Sequence, residues 1–293
     1  MSNTKVLMPL PNRDFDPTEA ALSWKIMHDA GYDVIFATES GKPSCADAMM
    51  ISGEGLDLWG FIPGLKKLTL VGRMLRARKD ARDAYRQLQF DANFLNPILY
   101  SALKPQDFDG LFMPGGHAPA MRQYLESEVL QSFVGDFFDF EVEGKQGVTH
   151  KPVAAVCHGV LALARSTSKK SGRSVLYGRK TTALTWSQEL SAQNLTKFTR
   201  FWDPLYYRTY SESAEEPKGY WSVEHEIKRS LKSDDDFINV AKDTPNYFRK
   251  TANIARDTLE DDTPSWVVRD GNYVSARWPG DVCSFTKSFM ELL

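Results

Sequence analysis

The sequence predicts an α/β fold in which a mostly parallel sheet is sandwiched between helices and interrupted by two insertions. Roughly the first 40 residues read as strand, helix and strand, which is the unit that builds parallel sheets. Short buried runs then recur along the chain, and each leads into a turn or a helix. The 293 residues suffice for one large domain of this kind. We therefore expect a single domain over residues 1–293, with insertions at about 59–97 and 196–255.

The composition is that of an ordinary globular protein, with 42% hydrophobic and 25% charged residues. A net charge of −2 argues against nucleic acid as a partner, since such proteins usually carry a clear basic excess. No apolar stretch approaches the roughly 18 residues that a membrane span needs, and the N-terminus reads as a strand rather than a signal peptide. We therefore expect a cytoplasmic protein with no membrane partner.

The first strand–helix–strand unit has clear boundaries. Residues 5–10 form a short apolar run. Asp16 as N-cap and Pro17 at the first helical position begin a helix, and Gly31 follows its end. Residues 32–38 then return as the second strand.

The later elements repeat this alternation. Three further buried runs, each typical of a strand, occupy residues 110–114, 152–157 and 181–185. Residues 266–277 predict a hairpin that turns at Asp270-Gly271-Asn272, and a last helix covers roughly residues 281–292.

The first insertion is basic. Its apolar residues recur at helical spacing, at Met74, Ala77, Ala81, Tyr85 and Leu88. This pattern predicts a basic amphipathic helix whose charged face is either solvated or bound to an anionic partner or membrane surface. The second insertion is rich in aromatic residues and carries two acidic runs. It could roof a pocket, form a subunit contact or extend the edge of the fold with a small core of its own.

The most informative segment is 154–164, where a buried strand meets a helix across Cys157-His158-Gly159. A sharp turn of this kind pushes its central side chain out above the carboxyl edge of the sheet, as in a nucleophile elbow, and Gly159 leaves room for a tight approach. The helix N-terminus lowers the pKa of a thiol, and His158 is positioned to act as a base. The alternative is that Cys157 is a buried, unreactive thiol. The other two cysteines are Cys45 and Cys283. The three cysteines are widely spaced and form neither a disulfide framework nor a zinc site.

A second, glycine-rich turn supports the interpretation of residues 154–164 as part of an active site. Residues 110–117 end a strand with Pro-Gly-Gly-His, and Gly115 and Gly116 allow backbone N–H groups to face a cleft. Together with the N–H of His158, these groups could form an oxyanion hole. His117 beside them either contacts a substrate or caps the turn.

Together, the Pro-Gly-Gly-His turn, the Ala-Val-Cys-His-Gly elbow, the Thr-Glu-Ala helix start and the C-terminal Asp-Gly-Asn-Tyr-Val-Ser-Ala-Arg-Trp-Pro-Gly resemble the ThiJ/PfpI family of the class I glutamine amidotransferase-like superfamily. The chain looks most like its heat-shock chaperone and glyoxalase III branch. The resemblance covers roughly residues 1–58, 98–195 and 256–293. It implies a flavodoxin-like three-layer sandwich and a homodimer.

The resemblance also implies roles for four residues. Cys157 matches the family's nucleophile and His158 the histidine that follows it. Glu189 stands where the branch has the carboxylate that completes the triad and orients the imidazole; otherwise it is a solvated residue at a helix start. Glu19 matches the glutamate that hydrogen-bonds the thiolate; otherwise it only complements the helix dipole. We expect the helix N-terminus, His158 and a protonated Glu19 to lower the pKa of Cys157.

The function implied is that of a cofactor-free enzyme converting 2-oxoaldehydes such as methylglyoxal to 2-hydroxy acids without glutathione. Amide or peptide hydrolysis by the same Cys–His pair remains an alternative, as does a stress chaperone or redox sensor without turnover. His28 and His225 lack metal-binding spacing such as HExxH, so we expect no metal site.

Overall fold

The computed structural model describes residues 4–144 and 147–293, so the first residues of the predicted N-terminal strand opening lie outside the described part. Its strands are β1 (Lys5–Pro9), β2 (Asp33–Thr38), β3 (Ile98–Leu99), β4 (Gly110–Met113), β5 (Glu141–Gly144), β6 (Gly147–His150), β7 (Val153–Val156), β8 (Val267–Asp270) and β9 (Tyr273–Ala276).

Seven of these strands form one sheet in the order β3-β2-β1-β4-β7-β9-β8, and β5 pairs with β6 in a separate hairpin. Every neighbouring pair in the large sheet is parallel except β8 with β9. Without the two edge strands β3 and β8, the order is that of a flavodoxin-like sheet, as predicted. The order reverses between β1 and β4, and ligands of such folds bind at the carboxyl ends of the strands at this point.

Helices cover both faces of the sheet. They are α1 (Ser23–Asp29), α2 (Ala48–Ser52), α3 (Val71–Leu75), α4 (Lys79–Leu88), α5 (Ala92–Leu95), α6 (Arg122–Leu125), α7 (Glu128–Asp139), α8 (His158–Arg165), α9 (Trp186–Thr199), α10 (Val223–Ser230), α11 (Tyr247–Thr251) and α12 (Val282–Met290). Within the described residues, no helix combines the length and the apolar character that crossing a membrane requires.

The alternation of side chains along each strand divides the core into two layers. On β4, Leu111 and Met113 pack with α7 and α8 on one face, whereas Phe112 packs with α1 and α12 on the other. This arrangement confirms the predicted three-layer sandwich.

The predicted first helix begins where expected. The Asp16 carboxylate accepts hydrogen bonds from the backbone N–H groups of Thr18 and Glu19, at 2.8 and 3.1 Å. A π-helical segment, Thr18–Leu22, precedes α1, and Gly31 follows the helix with a φ of 88°. Such π-helical turns are frequent at functional sites, and this one carries Glu19 as a fully buried residue.

The predicted hairpin and C-terminal helix are confirmed as β8–β9 and α12. The prediction of a strand at residues 181–185 is wrong. This stretch is largely buried, but Thr181 makes only a single bridge, to Phe237, and the Thr182 N–H donates to the hydroxyl of Ser275. The physical reason is that β8 already pairs with β9 and takes the place beside it.

The first insertion contains the predicted amphipathic helix, α4, which buries Ala81, Tyr85 and Leu88. Met74 does not belong to its apolar stripe, because it lies on the separate helix α3 and is 77% exposed. The chain leaves the helical conformation at Arg76, where ψ is 162°, so the predicted continuous stripe is wrong at this end.

Candidate active site

Cys157 lies between the end of β7 and the start of α8, with φ 56° and ψ −125°. A residue with a Cβ rarely adopts this conformation, and it costs about 1–3 kcal/mol. The turn is the strained strand-to-helix junction that the sequence predicts. Its side chain is nearly buried, with 5% of the residue exposed.

Two glycines let the two predicted turns approach each other closely. A Cβ on Gly159 would lie 2.1 Å from the carbonyl oxygen of Met113, at the end of β4. A Cβ on Gly115 would lie 2.7 Å from the backbone nitrogen of His158. The Pro-Gly-Gly turn therefore packs directly against the first turn of α8, which a side chain at either position would prevent.

The Gly115 N–H is not free to join an oxyanion hole, because it donates to Glu19 Oε2 at 2.8 Å. The expected role of this group is therefore corrected: it holds the Glu19 carboxyl. The His158 N–H hydrogen-bonds the sulfur of Cys157. Gly116 and Gly159 as substrate-binding residues remain predictions.

The structure brings Glu19 to Cys157, as the resemblance implies. Burial raises the pKa of the Glu19 carboxyl well above its usual value, and the nearby charge of Asp16 raises it further. The hydrogen bond from Gly115 and the interaction with Cys157 oppose this shift. A buried carboxyl in such surroundings holds its proton and can donate it toward sulfur.

The expected lowering of the Cys157 pKa is wrong in direction. Burial raises the pKa of the thiol well above its usual value, and an ionised Glu19 or Asp16 would raise it further. The hydrogen bond from the His158 N–H lowers it, but desolvation outweighs this contribution. The resting site therefore holds a neutral thiol rather than a preformed thiolate.

His158 connects this thiol to the second insertion. Its Nδ1 lies 3.4 Å from Cys157 Sγ, and its Nε2 lies 2.9 Å from Thr209 Oγ1. The Thr209 hydroxyl also lies 2.8 Å from the carbonyl oxygen of His117, which can only accept. Since a hydroxyl has one proton to donate, Thr209 donates to His117 and accepts from the Nε2–H of His158.

This arrangement fixes the tautomer of the imidazole. With the proton on Nε2, the lone pair of Nδ1 faces the thiol and can accept its proton. Burial lowers the pKa of His158 to about 3, with nearby His117, Arg165 and Arg208 contributing, so the ring is neutral at physiological pH. The Cys157–His158 pair is thus a neutral thiol beside a neutral base.

Glu189 does not contact His158, which corrects its expected place in a triad. One of its carboxylate oxygens lies 3.1 Å from the Nε of Arg208, and the other accepts a hydrogen bond from the Val223 N–H. Burial raises its pKa to about 7, although Arg208 opposes the shift. A buried guanidinium without a carboxylate partner would be unfavourable, and Arg208 therefore pairs with Glu189. Thr209, the residue after Arg208, takes the position beside His158.

The second insertion roofs the site, which favours the first of the three interpretations of this segment. The ring of Tyr207 stacks on His117 with centroids 4.2 Å apart, and Tyr206 meets His117 edge-on at 4.8 Å. Tyr206 also donates to Asp47 Oδ2 at 2.5 Å. Sequence reasoning missed Thr209 and both tyrosines as site residues, since the only signal was the aromatic composition of the segment.

The remaining predicted candidates lie elsewhere. Cys45 is exposed, and Cys283 is a buried residue of α12 whose pKa is raised to about 12 by burial. In the part of the chain that the structure describes, no group of three or more His, Cys, Asp or Glu side chains is arranged to hold a metal ion.

A nucleophile elbow at the carboxyl edge of a flavodoxin-like sheet, beside a buried glutamate, defines a class of α/β proteins. A family model described as ThiJ/PfpI family-like matches residues 10–220, well over half of the sequence. The chain therefore belongs to the ThiJ/PfpI family. The match runs through the first insertion and into the second, further than the resemblance had implied.

Two curated relatives come from Schizosaccharomyces pombe. The uncharacterized protein C14C4.04 is 26% identical over 166 residues, 55% of this chain and 54% of its own length. Glutathione-independent glyoxalase hsp3101 is 26% identical over 174 residues, 59% of each chain. The chain thus spans little more than half the length of either relative. Glyoxalase III from Candida albicans has a similar fold, with a TM-score of 0.57 and 18% identity over 99% of this chain and 97% of its own.

The raised thiol pKa predicts slow alkylation of Cys157 at neutral pH. The rate constant for iodoacetamide, followed by peptide mass spectrometry, should have a pH midpoint above the ordinary thiol value of about 8.5. Replacing Glu19→Ala should raise this midpoint further, because it removes the protonated carboxyl that donates toward the sulfur. Buried Cys283 should remain unreactive in both proteins. A midpoint near pH 6 in the unmodified protein would contradict the assignment of a neutral thiol.

Proposed function

We propose that the protein converts 2-oxoaldehydes to 2-hydroxy acids, with water as the only co-substrate and no glutathione. The observation that carries the proposal is the Cys157 thiol facing the unprotonated Nδ1 of His158 at 3.4 Å. Membership of the ThiJ/PfpI family and the similarity to a glutathione-independent glyoxalase support the same reaction.

In the first step, Cys157 Sγ attacks the aldehyde carbon and its proton moves to Nδ1 of His158. The protonated imidazole then delivers this proton to the former carbonyl oxygen, which gives a neutral hemithioacetal. Proton transfer that accompanies bond formation avoids a separated thiolate–imidazolium pair, which burial makes costly here. A neutral resting pair is therefore compatible with nucleophilic attack.

In the second step, Nδ1 removes the hydrogen on the first carbon as a proton, the electron pair forms a double bond to the second carbon, and the imidazolium gives the proton to the former ketone oxygen, which yields an enediol. Nδ1 then takes the hydroxyl proton from the oxygen of the first carbon and delivers it to the second carbon, which gives the thioester of a 2-hydroxy acid. The first carbon is oxidised and the second is reduced by the same electron pair. The reaction is thus internally balanced and needs no external oxidant or reductant.

Hydrolysis completes the cycle. Water adds to the thioester, the carbon–sulfur bond breaks, and Cys157 leaves with a proton as the neutral thiol. Glu19, protonated and held by the Gly115 N–H, donates toward the sulfur while negative charge develops on it. Thr209 acts as a positioning residue, because it holds the proton of His158 on Nε2.

Lactate formation from methylglyoxal without glutathione tests the proposal directly. The protein should produce lactate at a rate that a Cys157→Ala variant lowers by at least about 1,000-fold, since loss of a nucleophile removes the covalent route. Cys45→Ala, which changes an exposed thiol, should retain full activity. Absence of lactate with the unmodified protein, or full activity of the Cys157 variant, would reject the glyoxalase function.

Thr209→Val should lower kcat for this reaction by about 100-fold with little change in KM, because the imidazole loses the acceptor that fixes its tautomer. Thr209→Ser retains a hydroxyl and should restore most of the rate. Thr199→Val is a matched control, since its buried hydroxyl has no hydrogen-bond partner among the described residues. Equal effects of Val and Ser at position 209 would contradict the role of the hydroxyl.

A further inference from the structure

Several buried polar atoms around the candidate site lack a hydrogen-bond partner among the described residues. They are Thr18 Oγ1, His117 Nε2, Arg256 Nη1 and Trp278 Nε1. Leaving a buried polar group unpaired is unfavourable, and more so for a charged group. The guanidinium of Arg256 and the indole N–H of Trp278 can only donate hydrogen bonds, so the ligand that satisfies them must be an acceptor.

The sheet brings Trp278 close to the nucleophile. Strands β7 and β9 are parallel neighbours and end together, with Val156 paired to Ala276. The Cys157 N–H continues this pairing by donating to the Ala276 carbonyl at 3.2 Å. Trp278 comes two residues later, at the same carboxyl edge. The Arg256 guanidinium carbon lies 5.7 Å from the centroid of the Trp278 ring.

Arg256 is also linked to the roof of the site. Its charge interacts with Asp16, whose own charge acts on Cys157, and with Tyr207, which stacks on His117. Arg256 therefore lies near Asp16 and Tyr207 and beside the Trp278 ring, on the β9 side of the site.

The charges around Arg256 leave it without an ion-pair partner. No carboxylate among the described residues lies within 4.0 Å of it, and this includes Asp16. The other nearby charges, Arg78 and Asp80, face each other at 3.8 Å. Its Nη1 is buried, although the residue as a whole is only partly so, and this atom has no acceptor among the described residues; an anionic ligand would supply one.

We propose that Arg256 and Trp278 bind a carboxylate at the far end of the substrate. The inference rests on the proposed function and narrows its substrate class to 2-oxoaldehydes that also carry an anionic carboxylate. A carboxylate matches one guanidinium and one indole N–H in charge and in its two acceptor oxygens. A phosphate dianion fits less well, because it would bring two negative charges near Asp16 where a carboxylate brings one.

The reaction with such a substrate remains balanced. In 4,5-dioxopentanoate the aldehyde and ketone carbons react as in methylglyoxal, and the distant carboxylate takes no part in bond changes. Addition of one water gives 2-hydroxyglutarate.

The test compares two substrates and two unreactive anions. We expect a higher kcat/KM for 4,5-dioxopentanoate than for methylglyoxal, and Arg256→Met should lower the ratio of the two values by about 10- to 100-fold. Trp278→Phe, which removes the indole N–H and retains a smaller aromatic ring, should lower it less. Arg179→Met is the matched control, because Arg179 contacts Asn272 at the opposite end of β9.

Calorimetric measurement of glutarate binding tests the carboxylate subsite independently of turnover. Glutarate should bind the unmodified protein more tightly than inorganic phosphate, and Arg256→Met should abolish this binding. Glutarate binding that depends on Arg256, without turnover of either aldehyde, would keep the subsite and reject the proposed function. Turnover without substrate preference and without glutarate binding, or tighter binding of phosphate, would overturn the carboxylate subsite.

Discussion

The positive φ of Cys157 is the constraint on which the site depends. Cys157 connects β7 directly to α8 without an intervening loop. Its thiol therefore lies where the turn after β4, the first helix and the second insertion meet. The strain persists because the surroundings are fixed on both sides. The Cys157 N–H is held by the Ala276 carbonyl, and the backbone at Gly159 packs against Met113.

Burial around this turn decides the protonation states. The tyrosines and Thr209 of the second insertion shield the site from water, and desolvation raises the pKa values of Cys157 and Glu19 and lowers that of His158. All three groups are thereby driven toward their neutral forms. A single hydroxyl proton, donated by Thr209 to the His117 carbonyl, then determines which imidazole nitrogen faces the thiol.

Local signals predicted the parts of the structure that depend on local interactions. The caps at Asp16 and Gly31, the buried runs of the parallel strands and the Cys-His-Gly turn each appear in the structure where the sequence indicates them. Glu19 lies near Cys157, as the resemblance implies, because the Asp16 cap starts the helical segment that carries it. The hydrogen-bond partner of His158 was not predictable from local signals, because it depends on the ion pair between Arg208 and Glu189 and on the second insertion folding over the site. The direction of the thiol pKa shift was missed for the same reason: a helix N-terminus is visible in a sequence, whereas the aromatic roof is not.

The central claim is that His158 carries its proton on Nε2 and presents an unprotonated Nδ1 to a neutral thiol. Nitrogen-15 NMR of the histidine-labelled protein measures this directly, since protonated and unprotonated ring nitrogens have well-separated chemical shifts. The account predicts a protonated Nε2 and an unprotonated Nδ1 for His158 throughout the neutral pH range. A proton on Nδ1, or a fully protonated imidazolium beside Cys157 at neutral pH, would contradict it.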